Sequence, residues 1–138
     1  MEKILVAHDG SDVSNRALLE GAKLAQRFAA SLTVVSAIPN LCFLGVPVDC
    51  STIEQVYRAE TEGILEGVKA KLREQGIVGE MVVLEGSPAD VIVDYAREKG
   101  MDVIVVGSTG KHATRRTILG SVSSKIIAHA PCQVLVVR

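Results

Sequence analysis

Three glycines at a fixed spacing mark the stretch of this sequence most suited to chemistry. An apolar run that ends at Val106 leads into Gly107-Ser108-Thr109-Gly110, and after nine more residues Gly120-Ser121 opens a segment of helical period. Glycine lets the backbone approach a ligand without an intervening Cβ, and a helix N-terminus presents unpaired N–H groups and the positive end of a dipole. The pattern predicts a phosphate-binding loop, with plain turns as the alternative.

Polar side chains in and after this loop fit the same chemistry. Ser108, Ser121 and Ser123 supply hydroxyl donors, and Lys111 with His112 would lie near the charge of a polyphosphate. Positive charge is therefore expected to concentrate beside the loop. The basic residues of this stretch are Lys111, His112, Arg115 and Arg116.

A carboxylate is predicted to lie opposite the glycine loop. The first apolar run ends in His8-Asp9-Gly10-Ser11, and ligands of open parallel sheets bind outside the carboxyl ends of strands, where the winding direction reverses. With strand order 3-2-1-4-5, Asp9 and Gly107 face one crevice, and the carboxylate could accept hydrogen bonds from ribose hydroxyls or a base amino group. An Asx turn or a helix cap is the structural alternative for Asp9, and both roles can hold at once.

Five continuous apolar runs predict the sheet that positions these residues. They alternate with longer segments of helical period, which is typical of βαβ units and of a parallel sheet covered by helices on both faces. We expect an α/β fold with five parallel strands in the order 3-2-1-4-5 and four helices. The runs are Ile4 to Ala7, Leu32 to Ile38, Met81 to Leu84, Val103 to Val106 and Val134 to Val137.

Capping residues and glycines set the helix limits. The first helix is expected over about 12 to 29 and the fourth from near 121 to before 131. The second begins at Ser51, where Ser51 and Glu54 form a capping box, and Gly76 ends it. The third follows Ser87-Pro88 and ends at Gly100. The predicted apolar face of the second helix consists of Ile53, Val56, Tyr57, Ile64, Leu65, Val68 and Leu72.

The stretch from Pro39 to Asp49 fits no regular element. It is an apolar loop that packs on its own domain, closes as a lid or meets another chain. The cysteines Cys42, Cys50 and Cys132 are odd in number, and none forms a Cys-x-x-Cys pair. We expect all three to be reduced packing residues.

Length and composition exclude several classes of protein. The 138 residues are sufficient for about one domain, which we place over residues 1–138. A net charge of −1 disfavours nucleic acid and anionic membranes as partners, and aromatic residues make up only 3% with no Trp, so a planar ligand must be held mostly by backbone and aliphatic groups. The N-terminal apolar run is too short for a secretion signal, and no run is long enough to span a membrane, which predicts a soluble cytoplasmic protein.

In the glycine loop and at Asp9, the sequence resembles the universal stress protein family. The family's nucleotide motif, G-x2-G-x9-G-[ST], is matched by Gly107, Gly110, Gly120 and Ser121 without a gap, and the first-strand Asp9 matches too. The resemblance covers the whole chain and implies a Rossmann-like domain that binds ATP, usually with a divalent ion such as Mg²⁺ or Mn²⁺, and commonly forms a homodimer. The contacts it implies are made by Ala7, His8, Asp9, Ala37, Gly107, Ser108, Gly110, Lys111, Gly120, Ser121, Val122 and Ser123.

Fast catalysis is not expected from these residues. The sequence around Gly110-Lys111 lacks the Walker A spacing, and His8, His112 and His129 form no cluster at metal-ligand spacing. We expect an ATP-binding regulatory module of the stress response that is recognised by a signalling partner and hydrolyses ATP slowly at most. A slow ATPase or autokinase and an interaction protein with an empty loop are the alternatives. The apolar last strand, from Val134 to Val137, predicts a homodimer through the sheet edge.

Overall fold

Nine regular elements alternate along the chain in a computed structural model that describes residues 1–40, 42, 49–111, 113–114 and 118–138. The five strands form one parallel sheet in the order β3-β2-β1-β4-β5, which confirms the predicted fold class and strand order. The elements are β1 (Lys3–Ala7), α1 (Asp12–Phe28), β2 (Ser31–Ile38), α2 (Cys50–Glu74), β3 (Gly79–Glu85), α3 (Pro88–Lys99), β4 (Val103–Gly107), α4 (Ser121–His129) and β5 (Gln133–Val137).

Helices cover both faces of the sheet and bury its central strands. Ile4 and Val6 of β1 face the core formed with α1 and α2, whereas Leu5 and Ala7 face the core formed with α3 and α4. Because successive side chains of a strand point to opposite faces, a strand covered on both sides must be continuously apolar. Ile4 and Leu5 are 0% exposed, and burying such a side chain completely contributes roughly 1.5–3 kcal/mol. This burial holds the carboxyl end of β1 in a fixed position.

Local capping explains where most helices begin and end. The Ser11 side chain accepts a hydrogen bond from the Ser14 N–H at 3.1 Å at the start of α1, and Ala29 ends this helix in a left-handed conformation with φ 50°. Gly100 ends α3 in the same way, with φ 63°. Left-handed backbone is favourable for glycine, so the predicted end of α3 agrees with the structure.

The predicted capping box of α2 is wrong. The helix begins at Cys50, and Asp49 is its N-cap because the Asp49 carboxylate accepts hydrogen bonds from the Thr52 N–H at 3.4 Å and the Thr52 hydroxyl at 2.8 Å. Ser51 therefore lies inside the first turn. An aspartate two residues earlier satisfies the unpaired N–H groups that a serine cap would have served.

The prediction of three reduced cysteines is wrong for two of them. Cys42 and Cys50 form a disulfide with their Cα atoms 5.1 Å apart, and Cys132 is the free cysteine. The two cysteines are eight residues apart in sequence, and their Cα separation lies in the usual range for a disulfide. Most of the predicted apolar loop, residues 41 and 43–48, lies outside the described residues.

Only part of the predicted apolar face of α2 is buried. Leu65, Val68 and Leu72 are buried against the sheet, whereas Val56 is 61% and Tyr57 45% exposed. No residue from 50 to 64 is buried. The first half of α2 therefore contributes little to the core. Within the described residues, no helix has the length and apolar character needed to cross a membrane.

Candidate functional site

A cavity of about 520 Å³ opens at the carboxyl ends of β1, β2 and β4. This volume lies within the usual range of roughly 300–1,000 Å³ for ligand pockets. All residues predicted to contact a nucleotide line it except Ser108. Those that line it are Ala7, His8, Asp9, Ala37, Gly107, Gly110, Lys111, Gly120, Ser121, Val122 and Ser123.

The topology of the sheet places the cavity here. The chain winds from β1 outward to β2 and β3, then returns through α3 to β4 on the other side of β1. The connections after β1 and β4 therefore leave the sheet edge in opposite directions, and a crevice forms between them. Asp9 follows β1 and Gly107 ends β4, so the two predicted walls face one cavity.

Gly107 and Gly120 allow close packing inside the glycine loop. A Cβ added to Gly107 would meet Val13 Cγ1 of α1 at 2.6 Å, and a Cβ on Gly120 would meet the Thr109 Cα at 3.3 Å. The first distance is far below van der Waals contact, so only glycine fits between β4 and the start of α1. The sequence motif is thus partly explained by packing.

Ser108 holds the loop together behind the cavity. Its carbonyl accepts hydrogen bonds from the Gly120 N–H at 2.6 Å and the Ser123 hydroxyl at 2.8 Å, and its own N–H donates to the Val137 carbonyl at 2.7 Å. The Ser123 hydroxyl also lies 3.0 Å from the Gly120 carbonyl. Ser108 is buried and does not line the cavity, because its backbone joins the two ends of the loop. Its predicted role as a hydroxyl donor to the ligand does not fit this position.

The first turn of α4 faces the cavity. Its N-cap residue Gly120 has no side chain to cap the helix, and Ser121, Val122 and Ser123 all line the cavity. The N–H groups of a first helical turn have no partner within the helix and carry the positive end of the helix dipole. This end of the cavity is suited to an anion.

Asp9 combines a structural contact with a position at the cavity. Its carboxylate accepts a hydrogen bond from the Ser11 N–H at 2.9 Å, which is the Asx turn that was the alternative for this residue. Partial loss of hydration would raise the pKa of this carboxyl, but donors on Ser11, with smaller contributions from Ser14 and the Lys111 backbone, outweigh it and lower the pKa below 3.8. Asp9 is therefore ionised at neutral pH and can accept further hydrogen bonds.

Three elements meet around Gly10 at the mouth of the cavity. Gly10 has φ +84°, and a Cβ added there would lie 3.1 Å from Lys111 Cε and 4.0 Å from Ile64 Cδ1. The Lys111 side chain thus crosses over the turn after β1. Across the same mouth, a Cβ on Gly110 would lie 3.0 Å from Asp9 Oδ2. The phosphate-loop candidate and the Asp9 turn are in direct contact.

His8 is buried beside this mouth, and one of its ring nitrogens has a partner among the described residues. Its Nε2 lies 2.8 Å from Asn15 Oδ1. Nδ1 is buried without a hydrogen-bond partner in the described part of the chain. The backbone on both sides is fixed, since the His8 N–H donates to the Val35 carbonyl at 2.8 Å and the Ser36 hydroxyl donates to the His8 carbonyl at 2.7 Å. These bonds tie the end of β1 to β2 at the cavity.

Helices α2 and α3 supply walls that the sequence did not predict. Tyr57, Thr61 and Ile64 of α2 line the cavity, as do Pro88 and Ile92 of α3. Apolar periodicity marked Tyr57 and Ile64 as core residues, but they line the cavity and are 45% and 38% exposed. Spacing along a helix identifies an apolar face and not what it contacts. Of the basic residues predicted near the loop, Lys111 lines the cavity, whereas His112, Arg115 and Arg116 lie outside the described residues.

A divalent ion would need ligands from a bound nucleotide. Asp9 provides the one carboxylate among the described residues that line the cavity, and the described part of the chain holds no group of three or more His, Cys, Asp or Glu residues that could bind a metal. Mg²⁺ is commonly held by one or two carboxylates together with substrate phosphates. The donor set fits an ion that arrives with its nucleotide.

The family model of the universal stress protein family matches residues 1–138. The chain belongs to this family. A universal stress protein of Methanocaldococcus jannaschii is 37% identical over 139 residues, which cover 99% of this chain and 82% of that protein. The universal stress protein YxiE of Bacillus subtilis is 36% identical over 147 residues, which cover 99% of this chain and 98% of that protein.

Solved structures of universal stress proteins share the fold. UspA from Lactobacillus plantarum aligns with a TM-score of 0.88 at 27% identity, covering 99% of this chain and 97% of that one. A universal stress protein in complex with cAMP aligns with a TM-score of 0.75 at 26% identity, covering 99% of this chain and 96% of that one. The universal stress protein from Archaeoglobus fulgidus in complex with dAMP aligns with a TM-score of 0.73 at 28% identity, covering 100% of this chain and 98% of that one. Universal stress proteins of this fold have thus been solved with adenine nucleotides bound.

Proposed function

We propose that this universal stress protein binds ATP in the cavity between β1 and β4 and acts as a nucleotide-dependent regulatory module. The observation that carries the proposal is the placement of the glycine motif, since Gly107, Gly110, Gly120 and Ser121 line one cavity together with the first turn of α4. Relatives solved with cAMP and dAMP support an adenine nucleotide as the ligand class.

The phosphates belong at the glycine loop. The N-terminus of α4 and the Lys111 side chain supply the positive potential there, and Gly110 lets the backbone approach the ligand without a Cβ. A divalent ion, Mg²⁺ or Mn²⁺, neutralises phosphate charge when it is bound, and Asp9 is the carboxylate that could reach it or its water shell. Affinity should therefore rise with the number of phosphates.

The nucleoside belongs between the ends of β1 and β2. Ala7, Ala37 and Ile38 form an apolar wall, and the Asp9 carboxylate stands where it could accept hydrogen bonds from ribose hydroxyls. Backbone groups near Ala37 could recognise the edge of the base. Contacts to small side chains and backbone suit a protein with only 3% aromatic residues.

Slow hydrolysis at most is expected from this geometry. The Asp9 carboxylate is already engaged by the Ser11 N–H and is the one carboxylate among the described residues that line the cavity, so no second carboxylate is available there to orient an attacking water. Nucleotide would instead contact the glycine loop and change a surface that a signalling partner recognises. The cytoplasm, where ATP is abundant, is the proposed location.

Calorimetry with ATP, ADP, AMP and adenosine tests the proposal. We expect saturable binding of ATP that weakens as phosphates are removed. At about one hundred times the Kd, ATP should stabilise the folded state by about 2.7 kcal/mol and raise the melting temperature. Denatured, freshly purified protein should also release adenine nucleotide. The proposal would be contradicted if millimolar ATP produced no binding heat and no thermal shift.

A homodimer through β5 is proposed as the assembly. This strand pairs with β4 on one side and forms an edge of the sheet, and Leu135 is 37% exposed there. An apolar edge strand favours pairing with a second copy. Leu135→Lys should then shift the protein to monomer in sedimentation, whereas Leu19→Lys, at a site 50% exposed on α1, should leave it unchanged. A wild-type monomer at tens of micromolar would contradict the dimer.

A further inference from the structure

The first half of α2, residues 50–64, is a cavity wall with few attachments to the other described residues. Tyr57 and Thr61 line the cavity from this half, yet no residue from 50 to 64 is buried. An isolated helix of about 12–15 residues is marginally stable in water, and most helical stability in proteins comes from packing of an apolar face. The position of this wall must therefore depend on specific contacts.

Two of the contacts that hold this half pass through Cys42. The Cys42–Cys50 disulfide fixes the first residue of the helix, and the Cys42 N–H donates to the Glu54 carboxylate at 3.2 Å, one turn further on. An ion pair between Arg58 and Glu85 at the end of β3 is a further attachment. Both members of that pair are exposed, and exposed ion pairs stabilise little. Among the described residues, the disulfide is the covalent cross-link between this half of α2 and the chain that follows β2.

The Cys42 end of the disulfide lies close in sequence to residues that line the cavity. Ile38, the last residue of β2, and Pro39 both line the cavity, and Cys42 follows three residues after Pro39. The disulfide therefore joins the chain leaving one wall, at β2, to the helix that forms another. Breaking it would remove the cross-link between these two walls and leave the sequence of every cavity residue unchanged.

We propose that the Cys42–Cys50 disulfide is a redox switch that sets the affinity of the cavity for adenine nucleotide. A dithiol reductant transfers two electrons and two protons to the S–S bond, which becomes two thiols, while the dithiol becomes a disulfide. In the reduced protein the first turns of α2 fray, and Tyr57 and Thr61 no longer form the wall. Disulfides that occur under reducing conditions are usually transient and redox-sensing. The inference rests on nucleotide binding as the proposed function.

Counting thiols and measuring ATP affinity in both redox states tests the switch. The oxidised protein should have one reactive thiol, Cys132, and should gain two after treatment with dithiothreitol. Reduction should weaken ATP binding by roughly three- to tenfold, the range for losing one aromatic contact. Hydrogen exchange should increase in residues 50–61 and stay unchanged in β1 and β4. Circular dichroism before and after reduction checks that the rest of the fold is retained.

Single-cysteine variants provide matched controls. Cys50→Ser should bind ATP like the reduced wild type and no longer respond to dithiothreitol, whereas Cys132→Ser should keep the full response. Three reactive thiols in the oxidised protein, or equal ATP affinity in both redox states, would overturn the switch and leave nucleotide binding intact. Absence of ATP binding in both states would overturn the proposed function, and the switch with it.

Discussion

Gly110 offers the most direct test of the proposed nucleotide site. A Cβ at this position would lie 3.0 Å from Asp9 Oδ2, with no other heavy atom of the described residues within 4 Å. Its φ lies outside the left-handed region, so alanine causes no backbone strain. The Gly110→Ala substitution therefore moves one carboxylate by a few tenths of an ångström and disturbs little else.

The expected effect is on affinity and not on folding. A hydrogen bond to a charged group contributes roughly 1.5–3 kcal/mol, which corresponds to a change in Kd of about 10- to 150-fold. Because the Asp9 carboxylate is displaced and not removed, we expect ATP affinity to fall by about tenfold, at the lower end of that range. The free energy of unfolding should change by less than about 1 kcal/mol, since one exposed side chain can move away.

Calorimetry on four proteins separates this effect from a general loosening of the loop. They are the wild type, Gly110→Ala, Asp9→Ala and the double variant. If the Cβ acts through the carboxylate, Gly110→Ala should cost little further affinity in the Asp9→Ala background. A fifth protein, Gly67→Ala, is the control, because its Cβ would meet nothing within 4 Å and it lies in the half of α2 that packs on the sheet. Unchanged affinity in Gly110→Ala, or an equal loss in both backgrounds, would refute the reasoning.

Two further predictions concern stability. Gly107→Ala should lower the free energy of unfolding in urea by about 1–3 kcal/mol, because its Cβ would meet Val13 Cγ1 at 2.6 Å; wild-type stability in this variant would contradict the packing argument. The Asp9 carboxyl has a folded-state pKa below its ordinary value of 3.8. Its contribution to the free energy of unfolding is therefore fully present above pH 3.8 and is lost as the pH falls through the folded-state pKa. The stability difference between wild type and Asp9→Ala should therefore be constant near neutral pH and shrink below pH 3.8, and a difference that persists in acid would count against an ionised Asp9.

The sheet and the glycine loop could be predicted because their determinants are local in sequence. A strand buried on both faces must be apolar at every position, as Ile4 to Ala7 is, and that pattern is visible without a partner. The order of strands followed from this pattern and from the family resemblance. Gly107, Gly110 and Gly120 were identified by their spacing, and they line one cavity.

Features that depend on the path of loops could not be predicted. The Cys42–Cys50 disulfide joins two cysteines eight residues apart, and that spacing alone does not show whether they pair. The wall formed by Tyr57 and Thr61 depends on where α2 lies relative to the sheet, which helical periodicity does not report. Ser108 belongs to the motif by position, yet its backbone joins the two ends of the loop and the residue does not line the cavity.

The three glycines of the motif serve different purposes, and this division determines what variants can reveal. Gly107 lacks a side chain because α1 packs against it, and Gly120 because the two ends of the loop meet at Thr109. Substitutions at either position disturb packing before they reach a ligand, so a loss of nucleotide binding there would not separate folding from recognition. Among the described residues, a Cβ on Gly110 would have only the Asp9 carboxylate within 4 Å. Binding by a Gly107 or Gly120 variant therefore reports mainly on the shape of the loop, and the Gly110 variant reports on the ligand.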